Sequence, residues 1–306
     1  MEHIIAKRNK RINAVSLPSE VVMHVILAAF SLSCIIPFIF IIIISFTSQE
    51  SLWANGYSFF PTSWSLISYE TAFKMGGLLW RSYFNSILIT VVGTALSVLV
   101  CILYSYGMFR PDYPYRNFFA FFAFFTMMFG GGLAPTVMVC RNLLGLSDNY
   151  AALIVPIMVN PFLFIVMRTF FKTSIPMSLV ESASIDGSGE FNTLFRIVVP
   201  IAKPGIATVG LLFALAYWNE WFLALVFIRN RDLYPLQYLL MLMQLSVENL
   251  KNSIQMVGMS SVNLSEMPTE GLRMAVCVFI VLPIACAYPF FQRYIIAGLT
   301  VGAVKE

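Results

Sequence analysis

Apolar residues are gathered into long runs, and short polar stretches separate these runs along the chain. Six runs, at 21–46, 84–109, 117–139, 150–171, 205–228 and 271–291, are long enough to cross a bilayer, which needs about 20 mostly apolar residues. This pattern predicts an all-α polytopic membrane protein with one six-helix transmembrane domain at 21–291. The remaining residues form an N-terminal tail (1–20) and a C-terminal tail (292–306).

Basic residues indicate which way the chain crosses the membrane. With a cytoplasmic N-terminus, 12 of the 19 lysines and arginines fall on the inner side and the other seven on the outer side. Because Lys and Arg accumulate in cytoplasmic loops, both termini are predicted to be cytoplasmic. The run at 21–46 is too long for the apolar core of a cleaved signal peptide, so it is interpreted as the first span.

The composition excludes an ordinary soluble domain. Hydrophobic residues make up 59% of the 306-residue chain and charged residues 11%, whereas soluble domains contain about 25% charged residues. The net charge of +4 is modest, and we interpret it as membrane orientation rather than nucleic-acid binding. The five cysteines form no CxxC pair, which favours small apolar side chains over a disulfide or a zinc site.

The common motifs of catalysis are missing from the sequence. It contains neither the G-x-x-x-x-G-K-[ST] phosphate loop nor the H-E-x-x-H zinc motif, and it lacks the G-x-S-x-G turn of serine hydrolases. We therefore expect no enzymatic activity, no metal site and no cofactor in this chain. If the chain moves a solute, the energy has to come from elsewhere.

One polar stretch, 181–200, lies between two of the apolar runs and is therefore placed to touch something outside the membrane. The sequence predicts a short helix over 177–185 and a second one over 190–199. Gly187 and Gly189 are predicted to form the turn between them, because glycine accepts the positive φ of a tight turn.

Six residues of this stretch match a known pattern, E-A-A-x3-G followed about nine residues later by I-x-x-P; they are Glu181, Ala183, Asp186, Gly187, Ile197 and Pro200. The chain thereby resembles the permease subunits of ABC importers, which carry this EAA loop. The sequence AYWNEWFLALVFI and the stretch 129–156 are similar to the carbohydrate branch of that family, which includes the maltose permeases. Ser182 departs from the pattern, where alanine is usual.

The resemblance implies a type I importer permease fold with a cytoplasmic coupling loop at 174–204. It also implies a second homologous permease, two cytoplasmic ATPase subunits that bind ATP and Mg²⁺, and an external solute-binding protein. The implied cargo is a carbohydrate, expected to be an oligosaccharide, with acidic and neutral sugars both left open. The implied location is a bacterial cell membrane. The residues implied in ATPase coupling are Glu181, Ser182, Ala183, Asp186, Gly187, Ile197 and Pro200.

The fifth apolar run contains a polar group of residues, Trp218, Asn219, Glu220 and Trp221. A carboxylate among apolar residues is costly in a membrane and usually faces a protein interior or water. We predict that these four residues border the sugar path near the partner permease. Interfacial anchoring of the tryptophans and snorkelling of Glu220 stay open as the alternative.

Several loops carry further expectations. Trp53, Tyr57, Trp64 and Tyr69 in the first external loop suit either a membrane interface or a docking face for an external partner. The stretch 236–250 is apolar but short, which favours a re-entrant or surface helix. Glycines 130–132 are predicted to weaken the third span, either at a cavity or at a close helix contact.

Two other functions compete with the importer. An ion-coupled secondary transporter would need paired broken helices with acidic residues near the bilayer midplane, and only Glu220 is a candidate for such a residue. A membrane enzyme or scaffold is the third alternative, and it lacks any catalytic group of residues.

Overall fold

The computed structural model describes residues 17–74, 77–257 and 270–303, and this part of the chain is mostly helical. The α-helices are α1 (Leu17–Ser45), α2 (Gln49–Asn55), α3 (Ile67–Lys74), α4 (Gly77–Phe109), α5 (Arg116–Met128), α6 (Leu133–Met138), α7 (Ala151–Met158), α8 (Pro161–Ser174), α9 (Met177–Ile185), α10 (Glu190–Thr193), α11 (Val199–Ile201), α12 (Lys203–Trp218), α13 (Phe222–Phe227), α14 (Leu236–Val257) and α15 (Glu270–Ala303). Two π-helical turns (Val139–Leu143 and Leu194–Val198) and one 3₁₀ turn (Arg231–Leu233) complete the list.

Three single helices are long and apolar enough to cross a membrane, at Ser19–Ser45, Gly77–Phe109 and Glu270–Ala287. Three bent helix pairs bring the number of candidate spans in the described residues to six: α5 with Leu133–Leu143, α7 with α8, and Glu190–Ile201 with α12. Helices thus occupy all six predicted runs. The C-terminal helix also continues to Ala303, through most of the predicted tail.

Two of the predicted spans differ from straight helices. The third ends at Met128, and the chain turns by 118° between α5 and Leu133–Leu143. Gly132, with a φ of +80°, lies at this turn, where L-amino acids with a Cβ are strained. The fifth predicted run, 205–228, is divided as well: α12 ends at Trp218, and a separate short helix, α13, follows.

Helix α4 is the central element of the bundle, since it packs against α5, α7, α8, α12 and α14. The core beside it includes the fully buried side chains of Phe164, Phe171 and Phe213. Tight packing of this kind, rather than the hydrophobic effect, holds helices together within lipid. The flank of α1 is exposed along its apolar length, as expected for a surface that faces lipid.

Buried polar contacts fix the segment that enters α14. Asn85 of α4 is completely buried, and its Nδ2 donates to the carbonyl oxygens of Asp232 (2.8 Å) and Tyr234 (3.2 Å). The hydroxyl of Tyr150 donates to Asn85 Oδ1 at 2.8 Å. The predicted helix at 236–250 is present and longer than expected, because α14 reaches Val257 and packs against α4 and α15.

Candidate functional site

The polar stretch between α8 and α12 folds as a helix–turn–helix segment, residues 177–201. The first helix, α9, has the predicted bounds Met177–Ile185. Gly187 adopts a φ of +77°, and the N–H of Ser188 closes the turn on the carbonyl of Ala183 at 2.9 Å. The prediction for Gly189 was wrong in one respect, since its φ is −68° and any residue adopts that value.

The second helix of the helix–turn–helix segment runs from Glu190 to Ile201 and is bent by 86° from α12. It contains a π turn, Leu194–Val198, directly before Pro200. The N–H of Val199 bonds to the carbonyl of Leu194, one residue further back than in an α-helix. Proline has no N–H to donate, so Pro200 interrupts the regular series of backbone hydrogen bonds of the helix, and the wider turn lies directly before this interruption.

The two helices turn one face toward the bundle and the other toward solvent. Val180, Leu194 and Val198 are completely or almost completely buried in the core. Ile185 is 86% exposed and Phe191 is 71% exposed, one on each side of the Gly187 turn. Exposed large apolar side chains rimmed by polar residues are candidates for an interaction surface.

The structure divides the seven predicted coupling residues into two groups. Glu181, Ser182, Asp186, Gly187 and Pro200 are exposed on the solvent side. Ala183 is buried and Ile197 is partly buried, so both contribute to the packing of the segment. A close approach of a partner to the Ala183 side chain is therefore not available on this face.

Sequence reasoning missed Ile185 and Phe191, although a signal was present. Each is a large apolar residue inside a polar stretch, within four residues of the predicted glycine turn. A turn exposes the residues next to it, so apolar side chains at this place could have been selected as contact candidates.

The four residues of the predicted sugar path lie at the break between α12 and α13, but they are in different environments. Trp218 is buried, and its indole N–H donates to the carbonyl of Ile280 in α15 at 3.2 Å. Asn219 and Trp221 are exposed. Trp218 therefore contributes to helix packing, while its two polar neighbours and Trp221 remain accessible.

Glu220 has a local structural partner. Its Oε1 accepts a hydrogen bond from the N–H of Leu223 at 2.7 Å, which caps the first turn of α13. Asn219 accepts a hydrogen bond from the side-chain amide of Gln237 at 3.3 Å, so the break also contacts α14. One oxygen of the carboxylate within the predicted fifth span is thus hydrogen-bonded to the first turn of α13.

A second carboxylate, Asp148, organises the loop that follows α13. Asp148 Oδ1 accepts hydrogen bonds from the N–H groups of Arg229 (2.9 Å) and Asn230 (2.8 Å). These two bonds, with that of Asn230 the stronger, lower the pKa of the Asp148 carboxyl from its usual value. The residue has a φ of +54°, and aspartate tolerates this left-handed conformation better than most residues.

Long apolar helices, three bent pairs and an exposed helix–turn–helix segment define a multi-pass helical membrane protein. Comparison with known proteins makes this more specific. No family model matches the chain. It is 35% identical to a polygalacturonan/rhamnogalacturonan transport system permease, YtcP, of Bacillus subtilis (strain 168), over 94% of this chain and 98% of that protein. It is 36% identical to protein LplC of the same organism, over 89% of each chain.

A solved structure agrees with these relatives. The crystal structure of a bacterial ABC transporter that imports the acidic polysaccharide alginate contains a chain similar to this one, with a TM-score of 0.77 and 29% identity over 90% of this chain and 96% of that chain. The chain therefore belongs to the permease subunits of sugar ABC transporters. This confirms the family resemblance and the importer permease fold. The ion-coupled alternative has no support among these proteins.

Proposed function

We propose that the helix–turn–helix segment is the coupling element of this permease and docks on a cytoplasmic ATPase subunit. The observation that carries this proposal is the exposed pair Ile185 and Phe191 around the Gly187 turn, flanked by the exposed carboxylates of Glu181 and Asp186. An apolar centre with a charged rim is the usual anatomy of a protein interface. ATP and Mg²⁺ would bind to that partner, and this chain would supply none of their ligands.

The proposed assembly contains a second homologous permease, two ATPase subunits and an external solute-binding protein. A heterodimer of permeases is the expected form. The helix–turn–helix segment and both chain termini would lie on the cytoplasmic side, as the distribution of basic residues favours. The exposed side chains of Trp53, Phe60 and Trp64 would then lie on the outer side.

The proposed cargo is an oligosaccharide that contains uronic acids. Support comes from the relatives, since one is named for polygalacturonan and rhamnogalacturonan and the similar solved structure imports alginate. Arg229 and Arg231, which are exposed beyond α13, would give the outer loop a favourable field for a polyanion. Asn219, Glu220 and Trp221 are the proposed contacts along the path.

Replacement of Phe191 tests the docking surface. The complex would be purified through this chain, and the ATPase that copurifies would be quantified for Phe191→Ser and for Phe60→Ser. Both variants remove an exposed phenyl ring, but Phe60 is 90% exposed in the first external loop. We expect an affinity loss of about tenfold or more for Phe191→Ser, as for a central aromatic contact, and none for Phe60→Ser. Equal ATPase recovery from both variants would contradict the proposal.

The cargo is tested by competition. Proteoliposomes that contain the complete complex and its binding protein would take up labelled trigalacturonate in the presence of ATP. We expect unlabelled trigalacturonate to compete and neutral arabinotriose to fail at the same concentration. Absence of trigalacturonate uptake, together with uptake of labelled arabinotriose, would assign the transporter to neutral oligosaccharides and leave the docking proposal untouched.

A further inference from the structure

A charged contact joins two parts of the chain that are 80 residues apart in sequence. Arg110 lies directly after the end of α4, and Glu190 is the first residue of α10 in the helix–turn–helix segment. The Nη2 atom of Arg110 donates to Glu190 Oε1 at 2.8 Å. The hydroxyl of Tyr106, one helical turn earlier in α4, donates to Glu190 Oε2 at 2.8 Å. Both carboxylate oxygens are therefore held by the same end of α4.

Arg110 is more buried than the cations of the other ion pairs in the described part of the chain, and the next is Arg273, whose side chain is 18% exposed in its pair with Glu270. The Arg110 side chain is only 10% exposed. The pairs Arg81–Asp232 and Lys74–Glu70 have side chains that are more than half exposed. Exposed pairs contribute little because water competes for both charges, whereas a buried arginine without its carboxylate is strongly unfavourable. Arg110 therefore depends on its partners.

The contact bridges an open gap. A cleft of about 350 Å³ separates the end of α4 from the second helix of the helix–turn–helix segment. Leu103 and Gly107 line it on the side of α4, and Phe191 and Leu194 line it on the other side. The hydrogen bonds of Glu190 cross this cleft, beside the buried apolar contact that Leu194 makes with the core.

The position of the contact gives it a mechanical role. The helix–turn–helix segment continues into α8 at one end and into α12 at the other, and both of these helices pack against α4. Arg168 of α8 also donates to the carbonyl of Met108 at 3.2 Å, which ties α8 to the same end of α4. The Glu190 contact adds a third attachment, at the middle of the segment, where the turn would be pushed by a docked partner.

We propose that Arg110 and Glu190 form a clamp that makes the helix–turn–helix segment and α4 move as one body. Arg110, Tyr106 and Glu190 are positioning residues in this inference, since both carboxylate oxygens of Glu190 are held by Arg110 and Tyr106. The clamp converts a displacement of the segment into a displacement of α4, the central helix of the bundle. The inference rests on the proposed docking of an ATPase, and its test has to separate the two.

The chain provides a matched set of variants. Arg110→Gln removes the charge, and Tyr106→Phe removes one hydrogen bond with little change of shape. Asp112→Asn is the control, because Asp112 Oδ2 forms an ion pair with the same guanidinium, 3.2 Å from its Nη2, but lies on the chain only two residues from Arg110. The control therefore perturbs Arg110 without breaking the connection to the segment. Arg110→Lys keeps the charge and is expected to restore part of the function.

The first measurement is a distance between two spin labels in the complete complex with its ATPase. One label replaces Tyr115, which follows the end of α4, and the other replaces Asn192 in the segment; both residues are exposed, and the five native cysteines are replaced by alanine. We expect the same distance distribution before and after trapping with ATP and vanadate. Arg110→Gln should shift or broaden the distribution on trapping, whereas Asp112→Asn should leave it unchanged.

The second measurement is the amount of trigalacturonate imported per ATP hydrolysed in proteoliposomes. We expect Arg110→Gln to lower this ratio about fivefold or more, as for the loss of a typical coupling between sites, with Tyr106→Phe intermediate and ATPase recovery unchanged. An unchanged distance distribution for Arg110→Gln would overturn the clamp. Failure of the unmodified complex to retain an ATPase would instead overturn the docking proposal. If Arg110→Gln does not fold, Tyr106→Phe decides the question by the same two readouts.

Discussion

Gly93 in α4 provides a direct test of how the central helix packs. A Cβ at this position would lie 2.7 Å from the ring of Tyr217 in α12, whereas ordinary contact begins at 3.4 Å. The ring cannot retreat freely, because its hydroxyl donates to the carbonyl of Ile154 at 2.9 Å and pairs with Ser97 Oγ at 2.8 Å. In Gly93→Ala, the two helices have to separate or these hydrogen bonds have to lengthen.

The magnitude follows from the overlap. The helices or the ring have to move by about 0.7 Å, and overpacking of this size costs about 1–3 kcal/mol. Gly210→Ala is the matched control, since its Cβ would meet Val98 in the same helix pair at an ordinary 3.5 Å. Alanine is favoured over glycine in a helix by roughly 0.5–1 kcal/mol, so this control should be neutral or stabilised.

The assay is thermal unfolding of the purified chain in mild detergent, followed by the loss of the folded peak in size-exclusion chromatography. We expect the midpoint of Gly93→Ala to fall by roughly 2 °C or more and that of Gly210→Ala to remain or rise. Replacement of Tyr217 by leucine in the Gly93→Ala background should cost less than the sum of the two single changes. Equal midpoints for the two alanine variants would refute the packing argument.

Three further outcomes follow from local geometry. Gly187→Ala places a Cβ at a φ of +77°, which costs about 1–2 kcal/mol, so it should melt earlier than Gly189→Ala, whose φ is −68°. Asp148→Asn should melt earlier than the unmodified chain at neutral pH, and this difference should shrink below about pH 4. The pKa of Asp148 is lowered in the folded chain. The stabilisation by its carboxylate is therefore present above the unfolded pKa and is lost as the pH falls through the folded pKa. Glu220→Gln retains an acceptor for the Leu223 N–H, so the midpoint of thermal unfolding should stay unchanged. A change in the transport rate of this variant would support a place for Glu220 on the sugar path. An unchanged rate would leave Glu220 with its capping role alone.

The positions of the helices could be predicted from the apolar runs, because the thickness of the bilayer sets a lower limit on the length of each run. The breaks inside these runs could not be predicted. Trp218 and Phe222 belong to the same predicted run, and the polar residues between them were assigned to a sugar path rather than to a helix end. The end of α12 there involves a carboxylate that caps the next helix and an indole bonded to α15. Glycines 130–132 gave a signal for weakness but none for the angle of 118° between the two helices.

The helix–turn–helix segment was predictable for a different reason. Its glycine turn and its helices are encoded by neighbouring residues, so local rules were sufficient for Met177–Ile185. The contact of Arg110 with Glu190 joins residues from different elements, and no periodicity links them. The same holds for the burial of Ala183 and Trp218, since the face that a short helix turns inward depends on what lies beneath it.

The length of α4 has a consequence for how the two membrane faces communicate. Its 33 residues span about 50 Å, well beyond the roughly 30 Å of the hydrocarbon layer. One of its ends holds the loop before α14 through Asn85, and the other holds the helix–turn–helix segment through Tyr106. A helix of this length resists compression along its axis, so a displacement of the helix–turn–helix segment would tilt α4 rather than shorten it. Tyr217 packs closely against Gly93 near the middle of α4 and would act as a pivot. We therefore expect the two ends of α4 to move in opposite directions, and labels at both ends would show whether their displacements have opposite signs.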